Sequence, residues 1–236
     1  MALPKDDALP ADPPSEAEEE RALTEDLALA TLKNRDLSEE EVEEISGNSA
    51  LMKMRKVRLA VAAHPRTARR IALRLIRELY TFDLVQFSLM PAVAADLKRI
   101  AEEQLISRLA SITLGERLSL ARRSSSLVVA ALLLDKDAPV WQAAVENPRL
   151  TEAAIVKALP RPQAGAALVE AICHHTKWSV RHEIRIALLR NPHTPMAAAI
   201  RFARRLTPHQ LRDVLHTSRL PETIKSYLRK ESEKHI

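Results

Sequence analysis

Four arginines recur at one place in a repeated sequence pattern, and such a row is suited to binding an anion. Each lies ten residues after a threonine that is expected to begin a helix: Arg77, Arg123, Arg161 and Arg204. A guanidinium group can donate two parallel hydrogen bonds to a carboxylate or a phosphate. If the helices stack in register, these side chains should form a ladder with a spacing of about 10 Å. The same position falls in the last helical turn, where the helix dipole stabilises any cation, so a purely structural interpretation stays open.

Other basic residues could widen this surface. A run at four-residue spacing occupies one helix face, and three further arginines accompany the ladder. These additional candidates are Arg70, Arg74, Lys177, Arg181, Arg185 and Arg201. A solvated helix face without a ligand is the alternative interpretation.

Cys173, His174 and His175 are residue types that bind metals or form nucleophilic pairs. Adjacent side chains on a helix point about 100° apart, so three in a row cannot converge on one ion. His175 and His182 share a helix face, but seven residues place them about 10 Å apart along the axis. We therefore expect no metal and no cofactor, and we expect Cys173 to be buried beside surface histidines.

The elements that must position these residues are predicted to be helices. The sequence has only 3 Gly and is rich in Ala, Leu, Arg and Glu, which favour helices. After Thr67, apolar residues follow the i, i+3, i+4, i+7 rule from Ala68 to Leu79. No segment shows the strict alternation of a half-buried strand. The sequence predicts an all-α fold.

The breaks between the predicted helices repeat as AAHPRT, VENPRLT and LRNPHT. We expect His or Asn to end one helix, Asn by adopting a left-handed conformation, and Pro to prevent its continuation. A threonine then caps the next helix, in two cases directly before a proline. The residues expected to end helices are His64, Asn147 and Asn191, and the expected caps are Thr67, Thr113, Thr151, Thr194 and Thr207. The first four threonines lie 46, 38 and 43 residues apart.

Two segments carry a family resemblance. The segment DKDAPVWQAAVENP, which begins at Asp135, has an acidic turn before an apolar helix that ends in Asn-Pro, and the segment from Trp178 to Pro192 is similar. They resemble the HEAT-like and leucine-rich-repeat-variant unit, over about residues 50 to 217. The resemblance implies an α-solenoid of stacked antiparallel helix pairs, HEAT/armadillo-like, with a protein-binding or nucleic-acid-binding role. The cysteine cluster that can hold an iron–sulfur centre in the variant family is missing, so no cofactor is carried over.

Among enzymes, the resemblance brings in only the HEAT-like DNA alkylbase glycosylases, which pair aromatic residues with a carboxylate. Trp141, Trp178, Asp135 and Asp137 would be the matching residues. With 3% aromatic residues, we expect the tryptophans to pack in the core and the acidic turn to supply charge at a helix N-terminus. No P-loop, Rossmann, H-E-x-x-H or G-x-S-x-G motif is present. The expectation is a protein without enzymatic activity.

Charge divides the chain. Residues 1–47 contain 15 acidic and 4 basic residues, a net charge of −11, although the whole chain carries +5. We expect residues 1–14 to be a disordered tail, residues 15–47 an acidic helical segment with a capping box at Ser38 and Glu41, and residues 48–236 a basic helical repeat domain. The acidic segment could cover the basic surface or mimic a partner.

These features predict a partner class and a location. No run of about 18 apolar residues and no signal-peptide pattern is present, and a lone cysteine forms no internal disulfide, so we expect a cytoplasmic protein. The leading hypothesis is a non-enzymatic scaffold whose basic surface engages an acidic protein surface or peptide. Sequence-nonspecific binding to a nucleic-acid backbone is the alternative, weakened by the scarcity of rings for base stacking. Neither a membrane nor a small-molecule substrate is indicated.

Overall fold

The computed structural model describes residues 16–233, with side chains from Thr24 to Glu231, and every regular element in this part is an α-helix. Sixteen helices and no strand occur there, which confirms the all-α prediction. No helix of these residues is long and apolar enough to cross a membrane. The tail predicted for residues 1–14 lies outside the described residues.

The chain divides into two compact units, residues 1–98 and 99–236. The helices of the first unit are α1 (Glu16–Leu32), α2 (Glu39–Gly47), α3 (Ser49–Lys53), α4 (Arg55–Ala63), α5 (Arg69–Glu78) and α6 (Thr81–Leu89). Helix α7 (Ala95–Arg108) crosses the boundary. The helices of the second unit are α8 (Leu114–Arg123), α9 (Ser126–Leu132), α10 (Ala138–Val145), α11 (Glu152–Ala158), α12 (Ala166–His174), α13 (His182–Leu189), α14 (Met196–Ala203), α15 (Pro208–Thr217) and α16 (Glu222–Glu233).

The first unit is organised around α4, which packs against α1, α2, α3, α5 and α6. Helix α2 begins at the predicted capping box: the hydroxyl of Ser38 accepts the Glu41 N–H, and the Glu41 carboxylate accepts the Ser38 N–H. These hydrogen bonds lower the pKa of Glu41. Leu32, Leu37 and Val42 of the acidic segment are buried. The segment from Thr24 to Gly47 is therefore part of the packed core of this unit.

In the second unit, alternate helices pack against each other in two rows. The even row contains the contacts α8 to α10, α10 to α12 and α14 to α16, and the odd row contains α9 to α11, α11 to α13 and α13 to α15. Contacts of α9 with α8 and α10, and of α13 with α14, join the rows. Apolar side chains that are inaccessible to water fill the space between them, including Leu120, Leu132, Ile155 and Leu188.

Three of the five predicted N-caps are confirmed, and two are wrong. The hydroxyls of Thr113, Thr151 and Thr207 accept N–H groups in the first turns of α8, α11 and α15. Thr67 and Thr194 instead donate backwards to the carbonyl oxygens of Val61 and Leu188, at 2.5 and 2.6 Å. The helices that follow them begin one residue later than predicted, with Ala68 and Pro195 as N-caps.

The expected left-handed asparagines are also a wrong prediction. Asn147 and Asn191 do follow the ends of α10 and α13, but no non-glycine residue of the described chain has a positive φ. Hydrogen bonds of the asparagine side chains, and not the backbone conformation, explain why Asn stands at these corners. Each Oδ1 accepts the N–H two residues ahead, from Arg149 at 2.7 Å and from His193 at 2.9 Å.

Candidate functional site

Side-chain hydrogen bonds to helix ends link neighbours within the even row. Asn147 Nδ2 donates to the Ala121 carbonyl of α8 at 2.7 Å, and Trp178 Nε1 donates to the Val145 carbonyl of α10 at 3.0 Å. Arg201, on α14, donates from Nη2 to the Cys173 carbonyl of α12 at 2.7 Å. Each bond satisfies a carbonyl that has no partner within its own helix.

Hydrogen bonds of the same kind fix the helix ends of the odd row, where the candidate site lies. Asn191 Nδ2 donates to the Leu159 carbonyl at the end of α11 at 2.7 Å. Ser218 Oγ donates to the Leu189 carbonyl at the end of α13 at 2.6 Å. The backbone N–H of Arg219 donates to the Arg190 carbonyl at 3.1 Å. The C-terminal ends of α11, α13 and α15 are therefore held side by side.

These three ends enclose a basic pocket of about 380 Å³. Each end contributes one arginine, Arg161 after α11, Arg190 at the C-cap of α13 and Arg219 after α15, and we call this the arginine pocket. His193 and three proline rings also line it, the rings being those of Pro160, Pro162 and Pro192. No described Asp or Glu lines it.

The guanidinium groups of the arginine pocket have no partner among the described side chains and carbonyls. All three arginines are exposed. The ion pairs and hydrogen bonds found between Thr24 and Glu231 involve none of their side chains. The carbonyls of Leu159 and Leu189, which could have accepted from them, are bound by Asn191 and Ser218. The pocket therefore presents cationic donors to a ligand from outside.

The four arginines of the predicted ladder are not brought together in one site. Arg123 ends α8 and Arg204 caps the end of α14, both in the even row, whereas Arg161 follows α11 in the odd row. Arg204 pairs with Glu231 at 3.1 Å. Arg77 lies in the last turn of α5, in the first unit. Positions ten residues after each threonine are not equivalent in the stack, because the helices that follow Thr113 and Thr151 belong to different rows.

Three of the six additional basic candidates form ion pairs or hydrogen bonds within the protein. Arg70 forms an ion pair with Glu43 of the acidic segment. Arg185 Nε donates to the Ser179 carbonyl at 2.8 Å, and Arg201 binds the end of α12 as described above.

The remaining candidates differ in their surroundings. The ammonium group of Lys177 lies 4.0 Å from the centroid of the Trp178 ring, a cation–π contact. Arg74 and Arg181 are exposed. None of the six lines the arginine pocket.

Arg190, Arg219 and His193 were not among the candidate binding residues predicted from the sequence. A usable signal exists, since Arg161, Arg190 and Arg219 lie at equal intervals of 29 residues. Each also stands within two residues of a proline that follows a helix end.

The acidic turn before α10 is bound by an arginine. Arg117 of α8 is mostly buried and forms ion pairs with Asp135 and Asp137, the latter at 2.7 Å. The hydrogen bonds that Arg117 donates to these two carboxylates raise its pKa. Asp137 is the N-cap of α10, but its side chain accepts no helix N–H. The turn thus joins α8 to α10, an interaction that its charge alone did not predict.

The aromatic and sulfur side chains near this region belong to the core. Trp141 and Trp178 are buried, as predicted. Cys173 is inaccessible to solvent, and burial raises the pKa of its thiol to about 12. His174 is exposed, as expected, whereas His175 is half-buried, with Nε2 3.1 Å from Glu146 Oε1. Within the described residues, no three His, Cys, Asp or Glu side chains are grouped as metal ligands.

Comparison with protein families, curated proteins and solved structures found no match for this chain.

Proposed function

We propose that this chain is a non-enzymatic α-solenoid scaffold, HEAT/armadillo-like, that binds an acidic segment of a partner protein. The two rows of helices in the second unit support a solenoid, in which each helix pair contacts mainly its neighbours. Within each row, side-chain hydrogen bonds join the ends of helices that lie side by side. Such stacks expose the ends of successive helices as a continuous surface. The arginine pocket lies on a surface of this kind.

The observation that carries the proposal is the arginine pocket itself. Three arginines, one from each of three helix ends, line one concavity, and no described carboxylate lies there to neutralise them. Carboxylate groups of a partner would accept their hydrogen bonds and remove the repulsion between the three cations. Specific complexes generally bring complementary charges together.

A peptide fits this pocket better than a nucleic-acid strand. Among the described side chains, His193 is the one aromatic ring that lines the pocket, and single-stranded nucleic acid is usually held by bases stacked on aromatic rings. The proline rings form stiff apolar walls, which suit the aliphatic part of a Glu side chain.

The test compares two triple variants with equal net charge. The pocket variant carries Arg161→Gln, Arg190→Gln and Arg219→Gln. The control variant replaces three other exposed arginines of the second unit by Gln: Arg123, Arg181 and Arg212. Binding of labelled polyglutamate is measured by fluorescence anisotropy over a range of salt concentrations, and duplex DNA serves as a second ligand.

The pocket variant should bind polyglutamate about tenfold more weakly, because solvent-accessible ion pairs are worth up to about 1 kcal/mol each. The control variant should remain within about twofold of the unmodified protein. Equal losses in both variants would show that only total charge matters, and would overturn the proposal. Tighter binding of duplex DNA than of polyglutamate, with a steep salt dependence, would favour the nucleic-acid alternative instead.

A further inference from the structure

We infer that the arginine pocket recognises a phosphorylated side chain in the partner's acidic segment. This inference rests on the proposed function and specifies its ligand. The chemical class is a phosphomonoester dianion carried by a peptide.

The first argument is charge. The backbones of Arg190 and Arg219 are adjacent, because the N–H of Arg219 donates to the Arg190 carbonyl at 3.1 Å, and both side chains line the arginine pocket. Arg161 joins them in the same pocket, and no described acidic residue lies in its lining. Three arginines that line one pocket are matched poorly by one carboxylate, which carries a single charge. A phosphomonoester carries close to two negative charges at neutral pH.

The second argument is the number of acceptors. Each guanidinium group presents five N–H donors in a planar fork. A carboxylate has two oxygens and is filled by one or two such forks. A phosphomonoester has three terminal oxygens, so each of the three arginines can donate to it. Because the donors have no partner among the described residues, no internal bond must break before the ligand binds.

The third argument is shape and rigidity. A volume of about 380 Å³ is near the lower end of the range for small-ligand sites and suits one side chain with its flanking backbone. Asn191 and Ser218 fix the helix ends that carry the arginines. Because the helix ends are held in this way, their backbone has little conformational entropy left to lose when the site binds a ligand, and the cost falls on the arginine side chains. A nucleic-acid phosphodiester has one charge and two free oxygens, so it matches the three arginines less well in charge and in number of acceptors.

The experiment uses three pools of nine-residue peptides that are degenerate except at the central position. That position is phosphoserine, Glu or Ser, and binding to the full-length protein is measured by fluorescence anisotropy. We expect the phosphoserine pool to bind about fivefold more tightly than the Glu pool, and the Ser pool to bind most weakly. Arg190→Lys with Arg219→Lys keeps the charge but removes the forks, so it should reduce the preference for phosphoserine over Glu.

The outcomes separate this inference from the proposed function. Equal affinity for the phosphoserine and Glu pools, lost in the pocket variant, would overturn the phosphate inference and leave the acidic-peptide function standing. Equal binding of all three pools would overturn both. Inorganic phosphate is added as a competitor in a parallel series. If it binds as tightly as the phosphoserine pool, the ligand is a free phosphate, and the assignment to a phosphorylated peptide is wrong.

Discussion

One histidine occupies the place that asparagine occupies at the other helix corners. His64 Nδ1 accepts the N–H of Arg66 at 3.2 Å, and Nε2 lies 3.0 Å from the Asn34 carbonyl oxygen. Asn191 makes the same two bonds, since Oδ1 accepts the His193 N–H and Nδ2 donates to a neighbouring helix end. The pattern of partners assigns the proton of the neutral imidazole to Nε2. His64 and the corner asparagines are therefore equivalent as donor and acceptor pairs.

This equivalence predicts the effect of two substitutions at His64. His64→Ala should lower the free energy of unfolding by about 1 to 3 kcal/mol, because it removes a buried side chain together with its hydrogen bonds to the Asn34 carbonyl and the Arg66 N–H. His64→Asn should recover more than half of that loss, since the amide can accept and donate in the same directions. Urea unfolding followed by circular dichroism measures both. If His64→Asn is as unstable as His64→Ala, the imidazole contributes by packing, and the equivalence is wrong.

At the scale of helices, the sequence predicted local interactions well and tertiary ones poorly. The caps at Thr113 and Thr207 involve partners three residues away, Glu116 and Gln210, so the local sequence contains the whole motif. Thr194 stands in a similar context, but its hydroxyl reaches back to Leu188. Whether a threonine points forwards or backwards depends on how the corner packs, which the threonine pattern alone does not specify.

The arginines also show that a local sequence pattern does not specify tertiary packing. A position ten residues after a threonine does fall at or just beyond a helix end, for Arg123 and Arg204 as for Arg161. The row to which each helix belongs follows from packing along the whole unit. The predicted ladder therefore placed arginines at helix ends but did not identify those that share a pocket.

The two threonine roles predict opposite responses to the same substitution. Thr151 is an exposed N-cap, and Asp caps helices at least as well as Thr, so Thr151→Asp should change the free energy of unfolding by less than about 0.5 kcal/mol. Thr194 is 2% exposed and acts as a donor. Thr194→Asp should cost about 3 kcal/mol or more, because it buries a carboxylate and removes the hydrogen bond to Leu188.

Thermal unfolding of the two variants, with Thr151→Ala as a reference that should lose about 1 kcal/mol, provides the measurement. Comparable stability of Thr151→Asp and Thr194→Asp would mean that Thr194 is an N-cap after all.

For the whole molecule, the uneven charge is built into folded structure and is not confined to a removable arm. Deleting residues 1–47 would take away Leu32, Leu37 and Val42, and each buried apolar side chain contributes about 1.5 to 3 kcal/mol. It would also remove α1 and α2 from their packing against α4. A deletion cannot therefore separate charge from stability. The prediction that the acidic segment covers a basic surface needs substitutions that leave the core intact.

Neutralising exposed glutamates of α2 provides such a test. Glu39, Glu40 and Glu44 form no ion pair with a described residue, whereas Glu43 binds Arg70 directly. Replacing the first three by Gln should raise heparin affinity at about 0.02 M salt and have little effect at 0.15 M, where the screening length is about 8 Å. Glu43→Gln frees the Arg70 guanidinium for a sulfate group, so its effect should persist at 0.15 M. Circular dichroism first verifies the fold of both variants. Their retention on immobilised heparin is then measured at each of the two salt concentrations. If Glu43→Gln elutes like the unmodified protein at both salt concentrations, the ion pair with Arg70 only supports the fold, and the acidic segment does not control access to this arginine.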